Sequence, residues 1–326
     1  MKIMMKRKMV SVGMTVYNQE KFVAQAIESV LRQKTNFDFE LVIAEDCSTD
    51  NSRMICIEYA KKYPDKIKLL LQKNNVGLKK QSLCLKKACT GIYRAHLEGD
   101  DFWIDDYKLQ KQVDFLEQHK DYIAVSGRIF CVDESGKKCK FPYGNLENVY
   151  SFKPEYTLKD FQSWLLPSHT GALIYRNVFF DLGETWLNEY ESYDIVGDRK
   201  TALMLVCQGK IKIMPEECSV RRIALQNTDN FTHNMLKYCR HMRVCNWMDD
   251  LTKMGKEMFN VNVNFDDAKR KQWDWAMKEF KRKPNFISLK NVIGVFNSSH
   301  EKKLYLKLGA NKVKNKVLTK IRDSKK

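Results

Sequence analysis

Apolar positions in the first half of the chain fall into short blocks that alternate between a period of two and a helical period. The run "MVSVGMTV" (9–16) is made of small and β-branched apolar residues, the pattern of a strand buried on both faces. "QEKFVAQAIESVLRQ" follows, with Phe22, Val23, Ala26, Ile27, Val30 and Leu31 at helical spacing. "FELVIAED" (39–46) reads as a second strand that ends on acids. "CSTDNSRMICIEYAKKY" opens with cap and turn formers ahead of a helix. "KIKLLLQ" gives a third strand, a helix is expected over roughly 79–89, and "GIYRAHLEGDD" supplies the fourth strand.

Strands that alternate with helices imply a doubly wound, mostly parallel α/β sheet with helices on both faces. Ligands of such sheets bind beyond the carboxyl ends of the strands. Thr15–Tyr17, Glu45–Asp46 and Glu98–Asp101 all fall at such ends, so three polar clusters are expected to meet at one rim. Downstream, "KLQKQVDFLEQHKDY" is an amphipathic helix with Asp105 and Asp106 placed to cap it, and "IAVSGRIFCV" is a strand. "HTGALIYRNVFFDLG" reads as a strand leading to a short helix, "DIVGDRKTALMLVCQG" as a helix beginning beside Asp198, and "KIKIMPEECSVRRI" contains a strand. Beyond about residue 225 the pattern turns helical and irregular, with Trp247, Trp273 and Trp275. An α/β domain over 1–225 and a helical extension over 226–326 are therefore expected.

Composition narrows the class. Of 326 residues 44% are hydrophobic, enough for a real core, yet no window approaches the roughly 18–20 apolar residues of a membrane span. The start "MKIMMKRKMVSVGMTVYN" lacks the apolar core and cleavage site of a signal peptide, so a cytosolic location is expected. Ten cysteines include no CxxC pair and scatter through apolar segments, which points to reduced, buried thiols rather than a disulfide framework. His233, Cys239, His241 and Cys245 do not have zinc-site spacing, since positions two apart on a helix face away from each other. The net charge of +17 is uneven: residues 269–326 hold 18 Lys and Arg against four acids, so +14 of it lies there. A nearly neutral body with a basic tail points to an anionic partner for the tail. In "ANKVKNKVLTKIRDSKK", Val313, Val317 and Ile321 recur every four residues among lysines, as in a short basic amphipathic helix suited to an anionic membrane surface.

"HLEGDDFW" (96–103) sets Glu98, Asp100 and Asp101 around one glycine. Like charges this close repel, and a cation or polar ligand relieves the cost. An acidic surface turn is the plain alternative. What surrounds the stretch favours a site. "VSVGMTVYNQEKFVAQAIESVLRQ", "FELVIAEDCSTDNS", "KNNVGLKKQ", "LEGDDFW" and "VGDRKTALMLVCQGKIKIMPEECSVRRI" resemble, in order over residues 9–225, the motifs of glycosyltransferase family 2, inverting enzymes of the GT-A fold. That resemblance implies a Rossmann-like sheet plus the C-terminal helical extension, a nucleotide-sugar donor and a Mn²⁺ or Mg²⁺ ion. It implies that Thr15 and Tyr17 line the base pocket, that Asp46 accepts a hydrogen bond from an N–H of uracil or thymine, and that Gly77 and Lys79 belong to the donor-binding turn. Asp100 would bind the cation, with Glu98 and Asp101 completing the acidic cluster around ribose and metal. Asp198 would be the general base, and Arg222 would face the diphosphate.

The residue types suit that chemistry. A departing diphosphate gains negative charge that a hard cation held by carboxylates stabilises. An acceptor hydroxyl is a poor nucleophile until a carboxylate takes its proton. The chain departs from the family in lacking the proline before the opening motif, in having Glu98 where aspartate is commoner, and in lacking an arginine after the asparagine–glycine turn. No QxxRW follows the base, so transfer of one sugar per encounter to a glycan or lipid-linked acceptor is expected. Asp194 stands as an alternative base, and His169 as either an acceptor contact or a structural histidine. A sugar-nucleotide nucleotidyltransferase would open with a glycine-rich basic loop, which "MTVYNQEKF" is not. A nucleic-acid-binding protein would leave three acidic rim clusters unexplained.

Overall fold

A computed structural model describes residues 8–141, 145–223 and 240–298. The chain divides into two compact units, Met1–Phe161 with Leu165–Gln226, and Gln162–Trp164 with Asn227–Lys326. The first contains β1 (Val10–Val16), α1 (Val23–Leu31), β2 (Phe39–Glu45), α2 (Ser52–Lys62), β3 (Ile67–Leu71), α3 (Gly77–Ala88), β4 (Tyr93–Glu98), β5 (Phe102–Trp103), α4 (Lys108–Gln118), β6 (Tyr122–Val132) and β7 (Glu155–Tyr156). After α5 (Leu158–Gln162) come β8 (Leu173–Arg176), α6 (Val178–Asp181), α7 (Gly183–Ser192), α8 (Gly197–Val206) and β9 (Lys210–Arg222).

These strands form one nine-stranded sheet in the order β3-β2-β1-β4-β8-β6-β9-β5, with β7 also on β9. The first four strands are parallel, as their connecting helices require, and β6 runs parallel to β9. β8 is antiparallel to both β4 and β6 and so joins the two parallel groups. Every residue of β1 is buried, which accounts for its small and apolar side chains, with only Ser11 and Thr15 polar among them. Val23, Ala26, Ile27 and Val30 of α1 pack into the same core as β1, β2, β4, Trp103 and the apolar face of α4.

The polar segment before α2 has a use that its cap-forming residues did not reveal. Instead of capping the helix through Asn51, it binds the turn after β1. Ser48 Oγ accepts from Asn18 N at 3.0 Å, Asn18 Oδ1 accepts from Thr49 N at 2.8 Å, and Asp50 Oδ2 accepts from Glu20 N at 3.0 Å. Asp50 Oδ1 accepts from Ser52 N at 2.9 Å. Burial alone would raise the Asp50 carboxyl, but the bonds from Ser52 and Glu20 hold it below its ordinary value. Asp50→Ala leaves these donors without their acceptor and is expected to cost about 1–3 kcal/mol in urea unfolding. A midpoint within error of wild type would show that the two turns are held by something else.

Asp105 and Asp106 are likewise not the cap of α4. The N-cap is Tyr107; Asp105 folds back to accept from Tyr107 N at 2.9 Å, and Asp106 pairs with Arg32 at 2.8 Å. A short acid two residues ahead of an amide closes a local turn in preference to reaching the helix.

The second unit holds α9 (Arg240–Phe259), α10 (Asp266–Arg282) and α11 (Phe286–Asn297) around Cys245, Trp273, Ala276, Val292 and Val295. Asn285 and Ser288 form a reciprocal capping box at the start of α11. His241 Nδ1 lies 2.7 Å from Gln272 Oε1, and Cys245 is part of the apolar core. His233, Cys239 and the basic stretch 302–326 lie outside the described residues. No described helix is long and apolar enough to cross a membrane.

Candidate functional site

Register places the polar strand ends side by side. Thr15 is paired with Ala44 on one side and Glu98 on the other, and Val16 with Glu45. Past these pairs the chains stay in step, because Asp46 N donates to Val16 O at 3.0 Å and Gly99 N to Thr15 O at 3.1 Å. A Cβ at Gly99 would displace the flexible Gln19 amide and crowd Val16 Cγ2 and Thr15 O, which favours glycine inside the acidic motif.

Thr15 is buried at the end of β1, while Tyr17 stands 43% exposed beyond it. Asp46 is buried and holds the turn before α3, its two oxygens accepting from Val76 N at 2.8 Å and Gly77 N at 2.9 Å. Gly77 adopts φ +82°, a left-handed backbone that suits glycine. Lys79 reaches across the surface to Asp194 at 3.5 Å. The structure thus joins Asp46 to Gly77 directly, and places Lys79 beside the carboxylate considered as an alternative base.

The acidic motif closes on itself through Asp101 N, which donates to Glu98 O at 3.0 Å. Glu98, Asp101 and His169 each offer a ligand atom, and these three atoms lie within 4.8 Å of one another. Asp100 is half-buried next to this group but is not one of the three. His169 Nδ1 sits 3.5 Å from Asp101 Oδ2, and Thr170 Oγ1 donates to Glu98 Oε1 at 2.7 Å. Both residues arrive on the turn before β8, which is fixed by buried Trp103: its Nε1 donates to Gly171 O at 2.6 Å. Trp103 therefore ties the acidic loop to the histidine turn.

Burial dominates the electrostatics of this cluster, with Arg221 and Arg222 opposing it only in part. Burial raises Asp100 to about 6, with Glu98 adding to it. Asp101 is pushed well above the carboxylate range, again by burial first and then by Asp100 and Glu98. Burial acts upward on Glu98 as well, but the neighbouring His169 and His96 rings and the Thr170 hydroxyl outweigh it and hold it low. His169 is driven down to about 4 by burial, so its ring is neutral and offers a lone pair. Glu98 Oε2 and His169 Nδ1 are buried with no hydrogen-bond partner among the described residues. Two carboxylates and an imidazole with two unpaired atoms fit a divalent cation such as Mn²⁺ or Mg²⁺.

Arg222 packs against this loop instead of standing free. Its backbone N donates to Asp101 Oδ1 at 2.7 Å, its Nε to Asp100 O at 3.0 Å and its Nη2 to Gln25 Oε1 at 2.7 Å. The guanidinium also lies 4.3 Å from the centre of the Phe22 ring. Arg221, which sequence reasoning passed over, is close enough to Glu98 and Asp101 for their charges to raise its own basicity. Its Nη1 also donates to Tyr150 Oη at 3.2 Å.

Asp198 occupies the first turn of α8, half-buried, with Oδ1 accepting from Arg199 N at 2.6 Å. A helix start favours a carboxylate there. Its charge acts on Tyr150, Tyr156 and Arg199. Tyr150 thus feels the charge of the base candidate, and its partner Arg221 feels that of the acidic cluster. Asp194, four residues earlier, is 96% exposed on its side chain. A buried bridge sets α8 relative to α3: Glu191 pairs with Lys86 at 2.8 Å and with Lys200 at 3.1 Å. The Lys86 bridge had no signal in the sequence, since its partners come from distant parts of the chain.

A family model described as Glycosyl transferase family 2 matches residues 11–183. An uncharacterised Mycobacterium tuberculosis protein is 35% identical over 212 residues, covering 63% of this chain and 56% of the relative. The putative glycosyltransferase EpsE of Bacillus subtilis is 41% identical over 128 residues, covering 39% of this chain and 45% of EpsE. The chain therefore spans about half the length of these curated relatives. Among solved structures, S. aureus TarS 1-349 in complex with UDP superposes with a TM-score of 0.59 at 15% identity, over 90% of this chain and 81% of that one. The shared fold is GT-A.

Proposed function

The chain belongs to glycosyl transferase family 2, and from that premise we propose that it moves one sugar, with inversion, from a UDP-sugar to a hydroxyl of a glycan or lipid-linked acceptor in cell-surface polysaccharide synthesis. The observation that carries this reading is the rim cluster of Glu98, Asp101 and His169, with its two unpaired buried atoms, beside Asp100 and the Thr15 strand end. The donor and catalytic chemistry is assigned to residues 1–225, and 226–326 to an accessory role. A divalent cation bound by Glu98, Asp101 and His169, with Asp100 adjoining, would offset the charge that develops on the diphosphate.

The chain's own groups do the rest. Thr15 and Tyr17 border the base, and the exposed Tyr17 ring offers it a stacking face. Asp46 is the proposed acceptor for the base N–H while it holds the Gly77 turn, because a carboxylate has lone pairs beyond the two that Val76 and Gly77 engage. Lys79 and the guanidinium of Arg222 supply positive charge near the phosphates. Asp198 takes the proton of the acceptor hydroxyl as it attacks the anomeric carbon opposite the leaving group, so no covalent sugar–enzyme intermediate forms. The UDP of the TarS complex supports a uridine donor.

The full chain, offered a panel of nucleotide sugars with Mn²⁺, is expected to bind and slowly hydrolyse a UDP-sugar, releasing the inverted anomer. A chelator should abolish turnover, and added cation should restore it. Retained anomeric configuration, or a folded protein that neither binds nor turns over any nucleotide sugar with cation present, would refute this reading.

A further inference from the structure

The second unit carries a surface that sugar transfer does not use. The helices α10 and α11 face the unit's core with Gln272, Trp273 and Ala276, and with Asn291, Val292 and Val295. Along one flank of α10, Lys271, Trp275, Lys278 and Arg282 are exposed at spacings of four, three and four residues, which is one helical stripe, with the Trp275 ring 6.3 Å from the His241 ring of α9. On α11, Phe286, Lys290, Ile293 and Asn297 repeat the same spacing. Among the described residues of this unit, all of the exposed large apolar side chains lie on these two helices: Phe286 at 79%, Ile293 at 49%, Trp275 at 48% and Ile287 at 40%.

A solvated helix face does not account for this. An isolated exposed apolar residue is ordinary, but four on two packed helices, interleaved in sequence with cations, call for a covering partner. The stretch from Lys278 to Lys290 holds five Lys and Arg and a single acid, Glu279, which turns to His241 at 3.3 Å. Lys281, Arg282, Lys283 and Lys290 form no ion pair with any described residue. The one outward acid on α10 beyond its first turn is Asp274.

We propose that the outward face of α10 and α11 is a docking surface for an anionic phospholipid membrane, with Trp275, Phe286, Ile287 and Ile293 entering the headgroup–acyl boundary and the cations meeting lipid phosphates. Trp, Phe and Ile beside Lys and Arg are the makeup of helices that lie in a membrane interface. A protein partner fits less well, since lysine is depleted from the buried centres of protein interfaces. This face is separate from the basic tail, and vesicle binding is measured without sugar transfer, so its failure leaves the transferase reading standing.

The test is sedimentation of the full chain with vesicles of phosphatidylcholine alone or mixed equally with phosphatidylglycerol. The mixed vesicles should retain the protein and the neutral ones should not, and binding should weaken as salt shortens the Debye length. Lys281→Ser, Arg282→Ser and Lys283→Ser should each lower the affinity by about fivefold. Phe286→Ser with Ile293→Ser should lower it by at least about tenfold, with circular dichroism unchanged because both positions are exposed. The emission of Trp275 should shift to the blue on binding, a change that Trp275→Phe removes. Wild-type binding by both sets of variants would overturn the proposal, as would indifference to anionic vesicles. A dimer in solution that Phe286→Ser dissociates, with vesicle binding intact, would assign the face to a second copy and also overturn it.

Discussion

Asp198→Asn is expected to lower transfer by about 10²–10⁴-fold while donor affinity changes little. The substitution keeps the shape of the side chain and an oxygen to accept from Arg199 N, so the start of α8 should hold. What disappears is the capacity to accept a proton from the acceptor hydroxyl. Donor binding is spared because Asp198 is not one of the atoms grouped at the cation site. Asp194→Asn supplies the contrast. That side chain is almost wholly exposed and engaged with Lys79, so its loss should change turnover by no more than a few fold. Steady-state transfer and donor affinity measured on both variants decide it: a larger loss of turnover in Asp194→Asn would move the base to that residue.

The second large effect concerns the cation. With Asp100 proposed as a further ligand beside the three grouped atoms, Asp100→Asn is expected to reduce transfer by about 10³-fold or more, since a bound cation supplies several kcal/mol of charge stabilisation and each 1.36 kcal/mol is tenfold in rate. His169→Gln should weaken divalent binding by at least about tenfold, because the ring brings one of the three grouped ligand atoms and its Nδ1 makes no hydrogen bond among the described residues. Cation affinity can be read from the rise in melting temperature on adding Mn²⁺, independently of catalysis. Transfer that survives Asp100→Asn and chelation alike would end the metal assignment. Unchanged Mn²⁺ stabilisation in His169→Gln would return that histidine to a structural role.

Much of the architecture follows from local pattern alone. The largely apolar, β-branched runs at 9–16 and 39–46 read as strands covered on both faces, and the helical spacing from Phe22 to Leu31 as a helix packed on them. Parallel strands in alternation with helices then force every strand's carboxyl end toward one rim, so Thr15, Glu45 and Glu98 become neighbours by topology, which their register confirms. What the sequence could not decide is how a given polar atom spends its hydrogen-bonding capacity, because that depends on a partner many residues away. The Ser48–Ser52 segment reads as a helix cap and instead lashes two turns together; Arg222 reads as a phosphate contact and packs its guanidinium on the Asp100 loop. His169 is a lone histidine until the turn before β8 carries it to Glu98 and Asp101, a placement set by Trp103 some 68 residues earlier in the chain. Periodicity is a property of neighbours in sequence and determines the elements and their order. Burial of charge, and with it the chemistry of the site, is a property of neighbours in space, and only the tertiary structure decided it.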